Sequence, residues 1–283
     1  MANDIAIIKE VAVRLRNSVS EIIVGKGSSI DLTVIAVLCR GHILVEDVPG
    51  VGKTTLAKAL SGAMDCSFGR IQFTPDLMPS DVLGINWFNQ KTNEFEFRKG
   101  PVFSQIVLAD EINRATPRTQ SALLEAMQEG QVTLDGETKG LPNPFIVIAT
   151  QNPIDMEGTF PLPEAQLDRF MLKLGMGYPS LEEEEDIILR FSADEKIPVQ
   201  KPAINTKELL SLQSEVSRVV VGDEIRKYLM DIVRLSRENE SVSLGGSPRS
   251  SIALFKASQA QAAISGRDFV IPDDVKYLAE PVL

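Results

Sequence analysis

Three unbroken apolar runs mark the chain before residue 150, and each stops at polar or charged residues. Ile43-Leu44-Val45 runs into Glu46-Asp47, and Ile106-Val107-Leu108-Ala109 into Asp110-Glu111; Phe145-Ile146-Val147-Ile148-Ala149 ends at Thr150-Gln151-Asn152-Pro153. Short continuous apolar runs read as strands buried on both faces, which is the pattern of a parallel sheet covered by helices. Helical periodicity fills the gaps. From Asp4 to about Ser20, one face collects Ile5, Ile8, Ala12, Leu15 and Val19. A later helix has clean ends, with Thr116 as N-cap, Pro117 at the first position and Gly130 just past the last turn.

Beyond Gly175-Met176-Gly177-Tyr178-Pro179 the periodicity is helical throughout. Ser180 and Glu183 form a capping box, and Glu182 to Asp186 put acid into a first turn, where it suits the helix dipole and a solvated face. Asp223 opens a helix with Ile225, Leu229, Ile232 and Val233 in register, and Ser247-Pro248 open another that carries Arg249 in its first turn. The pattern predicts an α/β core over residues 1–177 and a helical domain over 178–283.

Period-2 alternation adds two hairpins to the core. One runs from Trp87-Phe88 through a turn at Thr92-Asn93 to Phe95-Glu96-Phe97. The other starts at Gln131-Val132-Thr133-Leu134 and turns at Asp135-Gly136. Trp87 and Phe88 are candidates for contact with another protein or for packing on the hairpin's own body.

Chemistry gathers where the apolar runs end. Val48-Pro49-Gly50-Val51-Gly52-Lys53-Thr54-Thr55 lies between the first run and Leu56-Ala57-Lys58-Ala59-Leu60, a good helix former. Strand, glycine loop and helix is the order of a phosphate-binding loop, with backbone N–H groups and a helix N-terminus around an anion. Lys53 is placed to reach β- and γ-phosphates, and Thr54 to ligate Mg²⁺. Asp47 stands where the plain pattern has its first glycine. Asp110 is a candidate for the Mg²⁺ shell, Glu111 for orienting or deprotonating a water, and Asn152 for binding the same water.

These segments resemble the MoxR family of AAA+ ATPases. The likeness rests on the phosphate loop with Asp110-Glu111-Ile112-Asn113-Arg114-Ala115, Ala149-Thr150-Gln151-Asn152-Pro153 and Ala165-Gln166-Leu167-Asp168-Arg169-Phe170. Gly246-Ser247-Pro248-Arg249-Ser250, and Gly266-Arg267-Asp268 before Pro272-Asp273-Asp274-Val275, carry it into the last third. The resemblance implies an αβα sandwich on a mostly parallel five-stranded sheet with a C-terminal all-helical lid. It tolerates Asp47 in the loop. It implies that Asn152 is sensor 1, that Arg169 is the arginine finger acting on a neighbour's nucleotide, and that Arg249 is sensor 2, reaching phosphates from the lid. Arg114 and Arg118 are rival candidates for the trans-acting role. Val24 and Gly25 match the segment that packs on adenine, although a plain helix-terminating turn explains them as well. The hairpins match inserts that face a ring's central channel.

By the same resemblance the chain is expected to bind and hydrolyse ATP with Mg²⁺ in a homo-oligomeric ring, a hexamer. It would remodel partner proteins, with metal-containing enzymes as clients, reached through a protein bearing a von Willebrand A domain. The family continues past Leu283 into a basic helical segment, so the lid is expected to be shortened. Other classes share the core: a nucleic-acid motor, a chelatase-type motor subunit, or a nucleotide-gated scaffold with little turnover. Glu111 speaks against the scaffold. The guanine-reading pattern Asn-Lys-x-Asp is absent, which favours ATP.

Composition narrows the field. With 283 residues, 43% of them hydrophobic, the chain can bury a substantial core. No apolar stretch approaches the roughly 20 residues of a membrane span, and the first residues lack a signal-peptide pattern, so the cytoplasm is the expected compartment. A net charge of −10 without a basic stripe disfavours nucleic acid. Cys39 and Cys66 sit in helix-like contexts and read as core thiols, and the one histidine, His42, opens a strand with no metal-site partner.

Overall fold

In the computed structural model, which describes residues 2–153, 158–192 and 200–283, the three apolar runs lie side by side. They form β1 (Ile43–Glu46), β5 (Ile106–Asp110) and β8 (Ile146–Gln151). With β2 (Phe68–Gln72) and β9 (Leu172–Leu174) they make one five-stranded sheet of order β2-β5-β8-β1-β9. Every pairing in it is parallel, with Glu46 opposite Gln151 and Gln72 opposite Asp110. The strands' polar ends therefore share one edge.

Alternate residues of each strand enter different cores, as a sheet covered on both sides requires. Ile43, Val45, Ile106, Leu108, Ile146 and Ile148 pack with residues of α1 (Ala2–Ser20), α2 (Gly27–Leu38) and α3 (Lys53–Ala63). Leu44, Val107, Ala109, Val147 and Ala149 pack with Val82 of α4 (Pro79–Leu83) and with Leu123, Leu124 and Met127 of α5 (Pro117–Glu129). The stripe expected on α1 is buried at all five positions. Emptying a buried position of the sheet, as in Leu108→Ala on β5, costs about 2–5 kcal/mol. Buried Gln120 ties α5 down by donating to the carbonyls of Ile112, Ala115 and Phe160.

The hairpins form where the alternation put them. β3 (Gly84–Asn89) pairs with β4 (Glu94–Lys99), and β6 (Gln131–Leu134) with β7 (Glu137–Gly140), turning at Asp135 and Gly136, both with positive φ. Phe88 packs edge-on against Phe95, while Trp87 stays 44% exposed. The hairpins touch: Asn86 donates to Asp135 at 2.8 Å, and Lys139 lies over the Phe97 ring.

After the short α6 (Glu164–Leu167) and β9, the chain is helical: α7 (Leu181–Ser192), α8 (Thr206–Val216), α9 (Asp223–Glu238), α10 (Pro248–Ile264) and α11 (Pro272–Val282). Helices α8 to α11 share one continuous core with α1 to α3. Cys39 caps α2 and is half-buried, and desolvation pushes its thiol up to about 12. Cys66 departs from expectation: it lies in the connection between α3 and β2, where Thr206 meets its sulfur at 3.8 Å.

His42 precedes β1 and ties the sheet to α5. Its Nδ1 accepts from the Val147 N–H at 3.0 Å, so Nε2 carries the proton and donates to the Met127 carbonyl at 3.1 Å. Burial, opposed by that carbonyl, brings the ring down to about 4. Between pH 6.5 and 4 the unfolded chain therefore holds a proton that the folded one refuses, and stability is lost as pH falls through that window. The loss from this one ring is at most about 3 kcal/mol. Urea unfolding at pH 7 and pH 4.5 should show a smaller acid penalty in His42→Gln than in the parent; an equal penalty contradicts the assignment.

Candidate functional site

The loop after β1 gets its shape from two glycines in the left-handed region, Gly50 at φ 86° and Gly52 at φ 94°. A Cβ at Gly50 would meet open space and one at Gly52 only the Met176 side chain at 3.8 Å, so backbone conformation, and not crowding, is what requires glycine there. Gly52 is the N-cap of α3, and no side chain caps that helix. Its first-turn N–H groups are thus available to an anion.

Around this loop is a cavity of about 330 Å³. Pro49, Gly50, Gly52, Lys53, Thr54 and Thr55 form one wall, and Asp110, Glu111, Thr150 and Asn152 the other. Three strand ends thus meet one helix start. A groove between α6 and the ends of α10 and α11 is larger, about 420 Å³. Chemistry, not volume, singles out the first.

Asp47 shows why the first glycine of the plain pattern is dispensable. Its Oδ1 accepts the Val48 N–H at 2.8 Å, and Oδ2 accepts those of Met176 at 2.6 Å and Gly177 at 2.5 Å. The carboxylate thus ties the loop to the chain leaving β9. Lys53 Nζ donates to the Asp47 carbonyl at 2.6 Å. Burial lowers the lysine's pKa, while Asp47, Asp110 and Glu111 oppose the shift. The ammonium is held among acids and partly desolvated, where an anion gains most from it.

The Thr150 hydroxyl organises the acids. It donates to Asp110 Oδ1 at 2.7 Å and accepts the Glu111 N–H at 2.8 Å, fixing the turn in which Glu111 adopts φ 56°. Arg70 donates to Asp110 Oδ2 and to Gln72, both at 2.7 Å. Gln72 donates to Glu111 Oε2 at 3.0 Å, and Arg114 pairs with the same oxygen at 3.1 Å. Asn152 is buried beside them.

Among the described residues, no cluster of three His, Cys, Asp or Glu side chains could hold a metal. Thr54 and Asp110 bring one hydroxyl and one carboxylate to the cavity, a donor set that suits Mg²⁺ arriving with phosphate oxygens and water.

Other expected site residues lie elsewhere. Val51 turns its side chain into the core beside α3. Val24 and Gly25 are outside the cavity lining, in the turn before α2; the neighbouring Lys26 donates to the Tyr178 carbonyl at 2.8 Å, just past Gly177. Arg114 sits at this chain's own acids, and Arg118 is exposed on α5. Arg169 precedes β9, while the phosphate loop follows β1, and these strands run parallel. Arg169 is therefore at the opposite end of the sheet from Lys53. There it lines a second cavity of about 300 Å³ with Arg40, His42, Gln128, Arg249 and Lys256. Its Nε is buried without a hydrogen-bond partner. Arg249 is beside it, 3.9 Å from Asp168 and in contact with Gln128.

Sequence reasoning passed over Arg70, Gln72 and the part played by Thr150. Arg70 and Gln72 alternate with buried Gly69 and Ile71 in β2, and that alternation was the available signal.

A family model for the ATPase family associated with various cellular activities (AAA) matches residues 42–172, and one for the AAA lid domain matches residues 234–283. The uncharacterized protein YeaC of Bacillus subtilis is 54% identical over 261 residues, which cover 92% of this chain and 82% of that protein. Chaperone MoxR1 of Mycobacterium tuberculosis is 42% identical over 274 residues, or 94% and 72% of the two chains. A crystal structure of a candidate ATPase from Cytophaga hutchinsonii superposes with a TM-score of 0.91 at 39% identity, covering 99% of this chain and 88% of that one.

Asp47→Gly would restore the plain glycine pattern yet remove three charge-assisted bonds. Calorimetric titration should show ATP binding weakened about tenfold, and urea unfolding a stability loss of about 2 kcal/mol. Unchanged or tighter binding would remove Asp47 from the loop's support.

Proposed function

The chain belongs to the MoxR family of AAA+ ATPases, and from that premise we propose that it hydrolyses ATP at sites shared by neighbouring copies in a ring. One observation carries the reading: Lys53 with the paired acids occupies one end of the sheet, and Arg169 with Arg249 the other. No folded copy brings them together. A second copy, placed so that its Arg169 end meets the first copy's Lys53 end, does so, and repetition of that contact closes a ring, a hexamer by family resemblance.

In this scheme residues 1–177 are the nucleotide-binding core and 178–283 the lid. The loop N–H groups and Lys53 hold the β- and γ-phosphates, and Thr54 and Asp110 hold Mg²⁺, which neutralises phosphate charge when bound. Glu111 orients and deprotonates the attacking water, and Asn152 donates its amide to that water or the γ-phosphate. Val24 and Gly25, near Tyr178, border the base. Arg169 and Arg249 from the adjacent copy offset the charge that develops as the phosphoryl group transfers. Hydrolysis then depends on assembly.

The work done is remodelling of partner proteins, as the name of the 42% identical chaperone supports. The paired hairpins, with Trp87 exposed along β3, are the surface offered to a client. The clients are metalloenzymes awaiting maturation, delivered by a partner bearing a von Willebrand A domain. Among the described residues no helix is long and apolar enough to cross a membrane.

Two variants test the scheme. Glu111→Gln should retain ATP while turnover falls about 10²–10⁴-fold. Arg169→Ala should bind ATP as the parent does yet lose about 10³-fold or more in kcat. Turnover that is first order in protein down to high dilution, with Arg169→Ala fully active, would refute a shared site.

A further inference from the structure

Something must hold the two guanidiniums of the Arg169 end in register, and we propose that Asp168 does so, as a positioning residue that makes Arg169 and Arg249 one body. The inference rests on the shared-site reading. Asp168 is the C-cap of α6 and immediately precedes Arg169. Its Oδ1 accepts the Ser247 hydroxyl at 2.5 Å, and its Oδ2 lies 3.9 Å from Arg249 Nη1.

Ser247 works in two directions. Its one proton goes to Asp168, and its lone pairs accept the Arg249 N–H at 2.9 Å and the Ser250 N–H at 3.2 Å, capping α10. The carboxylate therefore grips the positive end of a 17-residue helix through a single hydroxyl. That grip sets where Arg249, in the same first turn, presents its guanidinium.

Both sides of the clasp are fixed. On the lid side, the Gly246 N–H donates to Ser236 at 3.0 Å, and Arg237 Nε donates to the Gly246 carbonyl at 2.7 Å. A methyl group at Gly245 would collide with the Arg237 backbone, so the turn bearing Ser247 moves only with α9. On the core side, the Met171 N–H donates to the His42 carbonyl at 2.8 Å, anchoring the segment that carries Arg169.

The half-exposed ion pair at 3.9 Å contributes little, and the short charge-assisted hydrogen bond carries the contact. This separates the variants. Asp168→Ala removes the acceptor, whereas Asp168→Asn keeps an acceptor for Ser247 and drops only the charge.

The test follows ATP turnover in assembled protein. Asp168→Ala should lose about tenfold or more in kcat through misplaced groups, with KM for ATP within about twofold because each copy's Lys53 cavity is untouched. Asp168→Asn should recover most of the loss. Asp168→Ala mixed with Lys53→Ala should exceed the sum of the two alone, because Lys53→Ala copies present an intact Arg169 end to intact Lys53 sites. Asp168→Ser replaces Asp168→Ala if the alanine variant does not fold. A kcat within about twofold of the parent, a loss carried by KM, or no recovery in the mixture overturns the proposal.

Arg169→Ala in the same assays separates the two readings. If it keeps full turnover, the shared site itself fails. If it loses turnover and is rescued by mixing while Asp168→Ala is unaffected, only the clasp fails.

Discussion

Burial of both faces of the central sheet is the constraint on which everything else rests. The inner strands β5, β8 and β1 are apolar on each side, so helices must cover them, and their polar side chains find room only at the ends. Parallel pairing then gives all five strands the same sense, and the two ends become chemically distinct surfaces. One collects the glycine loop, the paired acids and Asn152, and the other collects cations around Asp168. The separation of Lys53 from Arg169 follows from strand direction rather than from any local feature of either residue.

That origin explains what could be read beforehand. The apolar runs of β1, β5 and β8, the stripe on α1 and the sharp ends of α5 are one-dimensional signals, and each element formed where its pattern lies. Lys53, Thr54, Asp110, Glu111 and Asn152 were legible for the same reason, since residues at the ends of adjacent parallel strands must meet. Strand β2 was harder, because Gly69, Arg70 and Gln72 interrupt its hydrophobicity.

Contacts made across the fold were not legible. Nothing near Asp47 in sequence announces that it binds N–H groups more than 120 residues away, at Met176 and Gly177. Nor does a motif spacing say on which end of the sheet Arg249 falls, because α10 returns to the core after several helices whose packing decides it. Motif likeness gave Arg169 and Arg249 their chemical type. Topology had to give their address.

The joined hairpins have a mechanical consequence. Asn86 bound to Asp135, and Lys139 resting on Phe97, make two loops into a single stiff prong. One loop feeds through a short turn into β5, which ends at Asp110, and the other feeds into β8, just ahead of Asn152. A push on the tip is therefore delivered along two rails at once, to both banks of the cleft where the triphosphate would rest.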